Sequence, residues 1–80
     1  MLEVRLHTTL RKYAPFDDPD GLWRLEFEPG LTVAGLLARL SIGEEEVMLV
    51  AINGTIVGRV FENNLQDGDS ISLFGLVDGG

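Results

Sequence analysis

Eighty residues without a cysteine must be held by a single hydrophobic core, because no disulfide is available to staple a smaller one. With 45% apolar and 24% charged residues, the composition suits an ordinary globular domain. A formal charge of −7, with its six cations scattered at Arg5, Arg11, Lys12, Arg24, Arg39 and Arg59, argues against a nucleic-acid partner, which would need clustered positive charge. No apolar run has the length to cross a membrane and no signal peptide precedes the first strand pattern, so the expectation is one soluble, cytoplasmic domain over residues 1–80.

The first element is legible at once. In "LEVRLHT", residues 2–8, Leu2, Val4 and Leu6 alternate with Glu3, Arg5 and His7, the period of a half-buried strand. His7 falls on the solvated side and has no nucleophilic or acidic neighbour at a catalytic spacing. "RKYAPFDDPDG" reads as loop, with Pro15, Pro19 and Gly21 breaking any period. Its aspartates, Asp17, Asp18 and Asp20, lack the spacing and the closing Glu of a calcium-binding EF-hand loop. "LWRLEFE" alternates again, with Trp23, Leu25 and Phe27 inward, and Pro29-Gly30 ends it. Two alternating runs joined in this way predict an antiparallel hairpin with a long connection.

The period then changes to that of a helix. Val33, Leu36, Leu37 and Leu40 recur at i, i+3, i+4 and i+7, and Thr32 stands at the N-cap position. About three turns are expected, with Gly43 near the stop. Glu44, Glu45 and Glu46 read as a solvated approach to the continuous apolar run Val47–Ile52, an interior strand. Asn53-Gly54 is a tight-turn signal, since both residues tolerate positive φ. "TIVGRV" returns as a short strand with Gly58 a candidate bulge. "FENNLQDGDS" is a turn-rich crossing, with one turn of 3₁₀ helix near Leu65 and a second tight turn at Asp67-Gly68. The last strand, "SISLFGL", turns Ile71 and Leu73 to the core and Ser72 and Phe74 away from it. Strand, strand, helix, strand, short strand, strand is the order of an α+β, ubiquitin-like β-grasp fold. In that plan a mixed sheet carries one main helix on one face, and the first and last strands pair in parallel at its centre.

The chain finishes on Gly79-Gly80, glycine being the residue that costs most to order. Taken together and in order, "LHTTLRKYAP", "PGLTVAGLLARL", "VAINGTIV" and "LQDGDSISLFGLVDGG" resemble the ThiS/MoaD family, the ubiquitin-like sulfur carriers of thiamine and molybdopterin biosynthesis. The resemblance covers nearly the whole chain apart from the Pro15–Gly21 loop. It implies that the Gly80 carboxylate is the chemically active group, with Gly79 beside it: a ubiquitin-activating-type adenylyltransferase adenylates it with ATP, and sulfur from a persulfide donor protein replaces the adenylate. The resulting thiocarboxylate would serve an acceptor synthase, such as a molybdopterin synthase large subunit or a thiazole synthase. It further implies that the chain is a carrier, or the small subunit of a synthase complex, and not itself an enzyme. The chain would bind no cofactor and no metal, ATP being used by the activating partner. Phe74, Leu76, Val77 and Asp78 are the expected partner-binding residues. Family tails often read "FPPVAGG"; here Gly75 and Leu76 stand in place of the proline pair and Asp78 in place of a small neutral residue. Two other readings fit the same ending: a protein modifier joined through Gly80 to lysines, and an interaction module in which the glycine pair plays no part.

Overall fold

The computed structural model describes residues 1–13, 22–59 and 61–75. Five strands form one sheet: β1 (Leu2–His7), β2 (Leu22–Leu25), β3 (Val47–Ile52), β4 (Thr55–Gly58) and β5 (Ser70–Gly75), in the spatial order β2-β1-β5-β3-β4. β1 and β5 run parallel at the centre, and the other pairs are antiparallel. This is the expected β-grasp plan, with the long first hairpin and the central parallel pair both in place.

One α-helix lies among the described residues, α1 (Val33–Leu40), and it is shorter than its apolar pattern suggests. The Thr32 hydroxyl accepts from the Gly35 N–H at 3.2 Å, which opens the helix as expected. The stop comes early, at Ser41, where a left-handed residue (φ 58°) turns the chain. The Ser41 N–H then bonds Ala38 O and the Ile42 N–H bonds Leu37 O, so the last carbonyls are satisfied after about two turns rather than three. The pattern continued because Ile42, just beyond the cap, is also buried in the core.

Val33, Leu36, Leu37 and Leu40 of α1 meet Leu2, Val4 and Leu6 of β1, Ile71 and Leu73 of β5, and Val47 and Val50 of β3 in one cluster. Leu10 and Leu65 complete it from the connections. Burying each such side chain contributes roughly 1.5–3 kcal/mol, and these contacts supply the main stabilising term.

Four local expectations are corrected. The first strand stops at His7, because Thr8 takes a positive φ of 57°. Residues Thr8–Tyr13 form a 3₁₀ turn, including Arg11–Tyr13 that the turn-rich composition placed in the loop. β2 ends at Leu25, although Phe27 still packs against the core. Near Leu65 there is no 3₁₀ turn: Asn64 bridges to Thr32, and the Leu65 N–H bonds Leu31 O at 2.8 Å. The chain there is held by α1's leading segment, so it has no need of its own helical bonds.

The turn chemistry behaves as the sequence predicts. Asn53 (φ 51°) and Gly54 (φ 83°) make the β3–β4 turn. Gly58 (φ 74°) stands at an irregularity: Val50 pairs with Gly58 and Ala51 with Ile56, leaving Val57 extra in β4. The segment around Asp17, Asp18 and Asp20 lies outside the described residues.

Candidate functional site

Cross-strand partners in register share a face of the sheet. Val4 pairs with Ile71, Leu6 with Leu73, and Val50 also with Leu73; these are core residues, which fixes the side covered by α1. The pairs His7–Phe74, Leu49–Phe74, Ala51–Ser72 and Ala51–Ile56 therefore lie on the opposite side, across which no described helix packs. Phe74 is half-buried there, away from the core cluster, as alternation predicted.

The open face carries more than Phe74. The His7 ring stacks on Phe74 with 4.4 Å between centroids and 10° between planes, so His7 is half-buried rather than simply solvated. On the other side of Phe74 come the half-buried Leu49, the buried Ala51 and then Ile56, which is 66% exposed. Met48, next to Leu49 at a register shift in β3, is 48% exposed. An apolar strip thus runs from the central strand to the β4 edge, a surface of the type proteins use for docking. Sequence reasoning missed Leu49, Ala51 and Ile56. A continuous apolar run shows no alternation, so Val47–Ile52 gave no hint of which members face outward.

The last described residue is Gly75, the end of β5. Its N–H donates to the Thr8 hydroxyl at 2.8 Å. Leu76, Val77, Asp78, Gly79 and Gly80 lie outside the described residues. Of the expected site residues the structure therefore locates Phe74, together with the point from which the chain continues toward Gly80.

Polar braces hold the ends of the sheet. Tyr13 donates to Glu46 Oε2, and Lys12 sits 3.7 Å from the other carboxylate oxygen. The Gly43 N–H also reaches Glu46. The tyrosine hydrogen bond, supported by Gly43 and Lys12 against the opposing effect of burial, holds the Glu46 carboxyl below its ordinary range. The same bond, with burial and the Glu46 and Glu45 charges, raises the Tyr13 phenol above its ordinary value. Glu46 is thus a structural acceptor and not merely part of a solvated run. Arg59 donates to Val47 O at 2.9 Å and Glu44 O at 3.1 Å while lying over the Phe61 ring. A shallow cleft beside it is lined by Ala34, Glu44, Phe61 and Glu62. Among the described residues no buried polar side chain occurs, and no group of acidic or imidazole side chains could hold a metal ion.

A helix gripped by a mixed sheet with parallel central strands defines a ubiquitin-like β-grasp protein. A model of the ThiS family matches residues 7–80, and the chain belongs to that family of small sulfur carriers. Among solved structures, a Pyrococcus furiosus chain assigned as a molybdopterin converting factor, subunit 1, is similar in fold at a TM-score of 0.67 and 23% identity. The alignment covers 95% of this chain and 97% of that one. No curated protein matches the sequence.

Proposed function

We propose that this protein is a cytoplasmic sulfur carrier that works through the carboxylate of Gly80. The observation that carries this reading is the ThiS-family match, which runs through β5 to Gly80 on a β-grasp scaffold. A C-terminal carboxylate has an ordinary pKa of about 3.3–3.7, so at neutral pH it is an anion and a poor electrophile. An adenylyltransferase of the ubiquitin-activating type would let a carboxylate oxygen attack the α-phosphorus of ATP, with pyrophosphate leaving. The sulfur of a persulfide on a donor protein then attacks the acyl carbon and AMP leaves. Exchange with a thiol cleaves the acyl disulfide and releases the thiocarboxylate. An acceptor synthase, such as a molybdopterin synthase large subunit or a thiazole synthase, receives that sulfur.

The carrier's part is binding and delivery. Gly79 and Gly80 have no Cβ, which lets the backbone pass through a narrow channel. The strip of Phe74, Leu49 and Ile56 supplies the surface that docks the body of the domain. Leu76, Val77 and Asp78 connect the two and meet the partner's channel.

Intact-mass measurement of the protein recovered from its own host, with fragmentation, tests this reading. The expected result is an oxygen-to-sulfur exchange confined to Gly80. Failure to gain sulfur when incubated with ATP, the host's activating enzyme and a persulfide donor would overturn it. Isopeptide-linked products without the thiocarboxylate would point to a protein modifier instead.

A further inference from the structure

Three residues other than glycine have a positive φ among the described residues: Thr8, Ser41 and Asn53. Ser41 caps α1 and Asn53 forms the β3–β4 turn, both common uses of that conformation. Thr8 is β-branched, the side-chain type least suited to it, and it neither caps an α-helix nor joins a hairpin. Strain of this kind persists where the surroundings impose it, which directs attention to what Thr8 touches.

The Thr8 hydroxyl donates to His7 O at 2.6 Å and accepts from the Gly75 N–H at 2.8 Å. One hydroxyl hydrogen and a lone pair are thereby both committed, and the side chain has a single orientation. Gly75 is confined from the same side. A Cβ there would collide with the Thr9 hydroxyl and stand 3.0 Å from Leu10 Cγ and 3.2 Å from the Leu10 backbone nitrogen. Leu10 is fully buried and cannot give way. Gly75 has no positive φ, so its glycine is required by close approach and not by backbone conformation. Across the sheet Gly75 pairs with Val47 of β3, and one residue earlier Phe74 stacks on His7.

We propose that Thr8 is a positioning residue for the reaction at Gly80: its hydroxyl and the 3₁₀ turn it opens clamp Gly75, the end of β5 and the residue five positions before the Gly80 carboxylate. This rests on the sulfur-carrier reading. Five residues span at most about 17 Å, so a small swing at Gly75 becomes a large displacement of the Gly80 carboxylate. Misplacing a reacting group by about 1 Å can cost as much as ~100-fold in rate. The docking strip holds the domain and the clamp fixes Gly75, so the two should separate kinetically.

The test is ATP–pyrophosphate exchange by the host's activating enzyme, measured against carrier concentration. Thr8→Val keeps the shape and removes the hydroxyl; Thr8→Gly removes the hydroxyl but accepts positive φ, and so covers the case in which the valine variant does not fold. Both are expected to lower kcat roughly tenfold or more, with KM within about twofold, in samples whose amide spectra remain native. Thr8→Ser retains the hydroxyl and is expected to restore kcat. Full kcat in the folded glycine variant, or a serine variant as slow as glycine, would overturn the proposal. Absence of exchange with the unmodified chain would instead remove the sulfur-carrier reading on which it stands.

Discussion

Leu73 and Phe74 are neighbours on β5 and live under opposite constraints. Leu73 points to the side packed by α1, is fully buried, and pairs with Leu6 and Val50. Phe74 points to the other side, half-buried, with the His7 ring on it and Leu49 beside it. Each covered position is fixed by several close-packed neighbours at once, so its identity is a matter of volume. Each open-face position is fixed only by strand neighbours and is free to be shaped by a partner. The same strand therefore carries the core on one side and, on the other, the apolar strip proposed as the docking surface.

Truncation on the covered face gives the largest expected effect. Leu36→Ala should lower stability by about 2–5 kcal/mol through lost burial and the cavity left behind. In a domain of this size, that lowers the thermal midpoint by roughly ten degrees or more. Thermal unfolding followed by circular dichroism reads it directly. An unchanged midpoint would mean that the covered face is not the core, and the contrast between the faces would collapse.

Truncation on the open face should reverse the pattern. Phe74→Ala gives up its stacking on His7, a loss of about 0.5–1.5 kcal/mol in stability. Its main effect is expected in binding, with about tenfold weaker affinity for the activating enzyme by calorimetric titration. Ile56→Ser, farther out on the strip, should change stability by no more than about 0.5 kcal/mol and weaken binding only a few-fold. If both variants bind as tightly as the parent, the strip is not the docking surface.

The difference in legibility follows the same division. The covered face could be read from sequence because burial imposes a period: two along β1 and β5, and i, i+3, i+4, i+7 along α1. Thr32, Asn53-Gly54 and Gly58 were legible because cap, turn and bulge chemistry is local. The open face was only partly so. Phe74 followed from its alternation with Leu73, whereas Leu49, Ala51 and Ile56 depend on the register between β3, β4 and β5 and on two irregularities within it. Thr8 was illegible for a stronger reason. Its positive φ runs against the local preference of a β-branched residue, and its hydroxyl is bonded to Gly75, 67 positions away. Glu46 was hidden within a run of three like charges whose usual state is full solvation; its tie to Tyr13 spans 33 positions.

That tie gives the smallest expected effect, and it depends on pH. Glu46 has its pKa lowered first by the Tyr13 hydrogen bond, so the interaction stabilises the fold above the unfolded carboxyl's pKa. The contribution fades as pH falls through the lower, folded value. Tyr13 is shifted the opposite way: its raised pKa means that the neutral phenol is favoured in the fold, and this part is lost as pH rises through the folded value. Tyr13→Phe keeps the ring against the core and removes the donor. Its Glu46 carboxyl, followed by NMR titration, is expected to move up toward the ordinary glutamate value. The stability difference between parent and variant should be greatest between the two transitions and narrow toward both acid and alkali. Because this brace lies between the end of the Thr8–Tyr13 turn and the approach to β3, the variant should leave kcat for adenylation unchanged. A fall in kcat would mean that the turn as a whole, and not Thr8 within it, serves the reaction at Gly80.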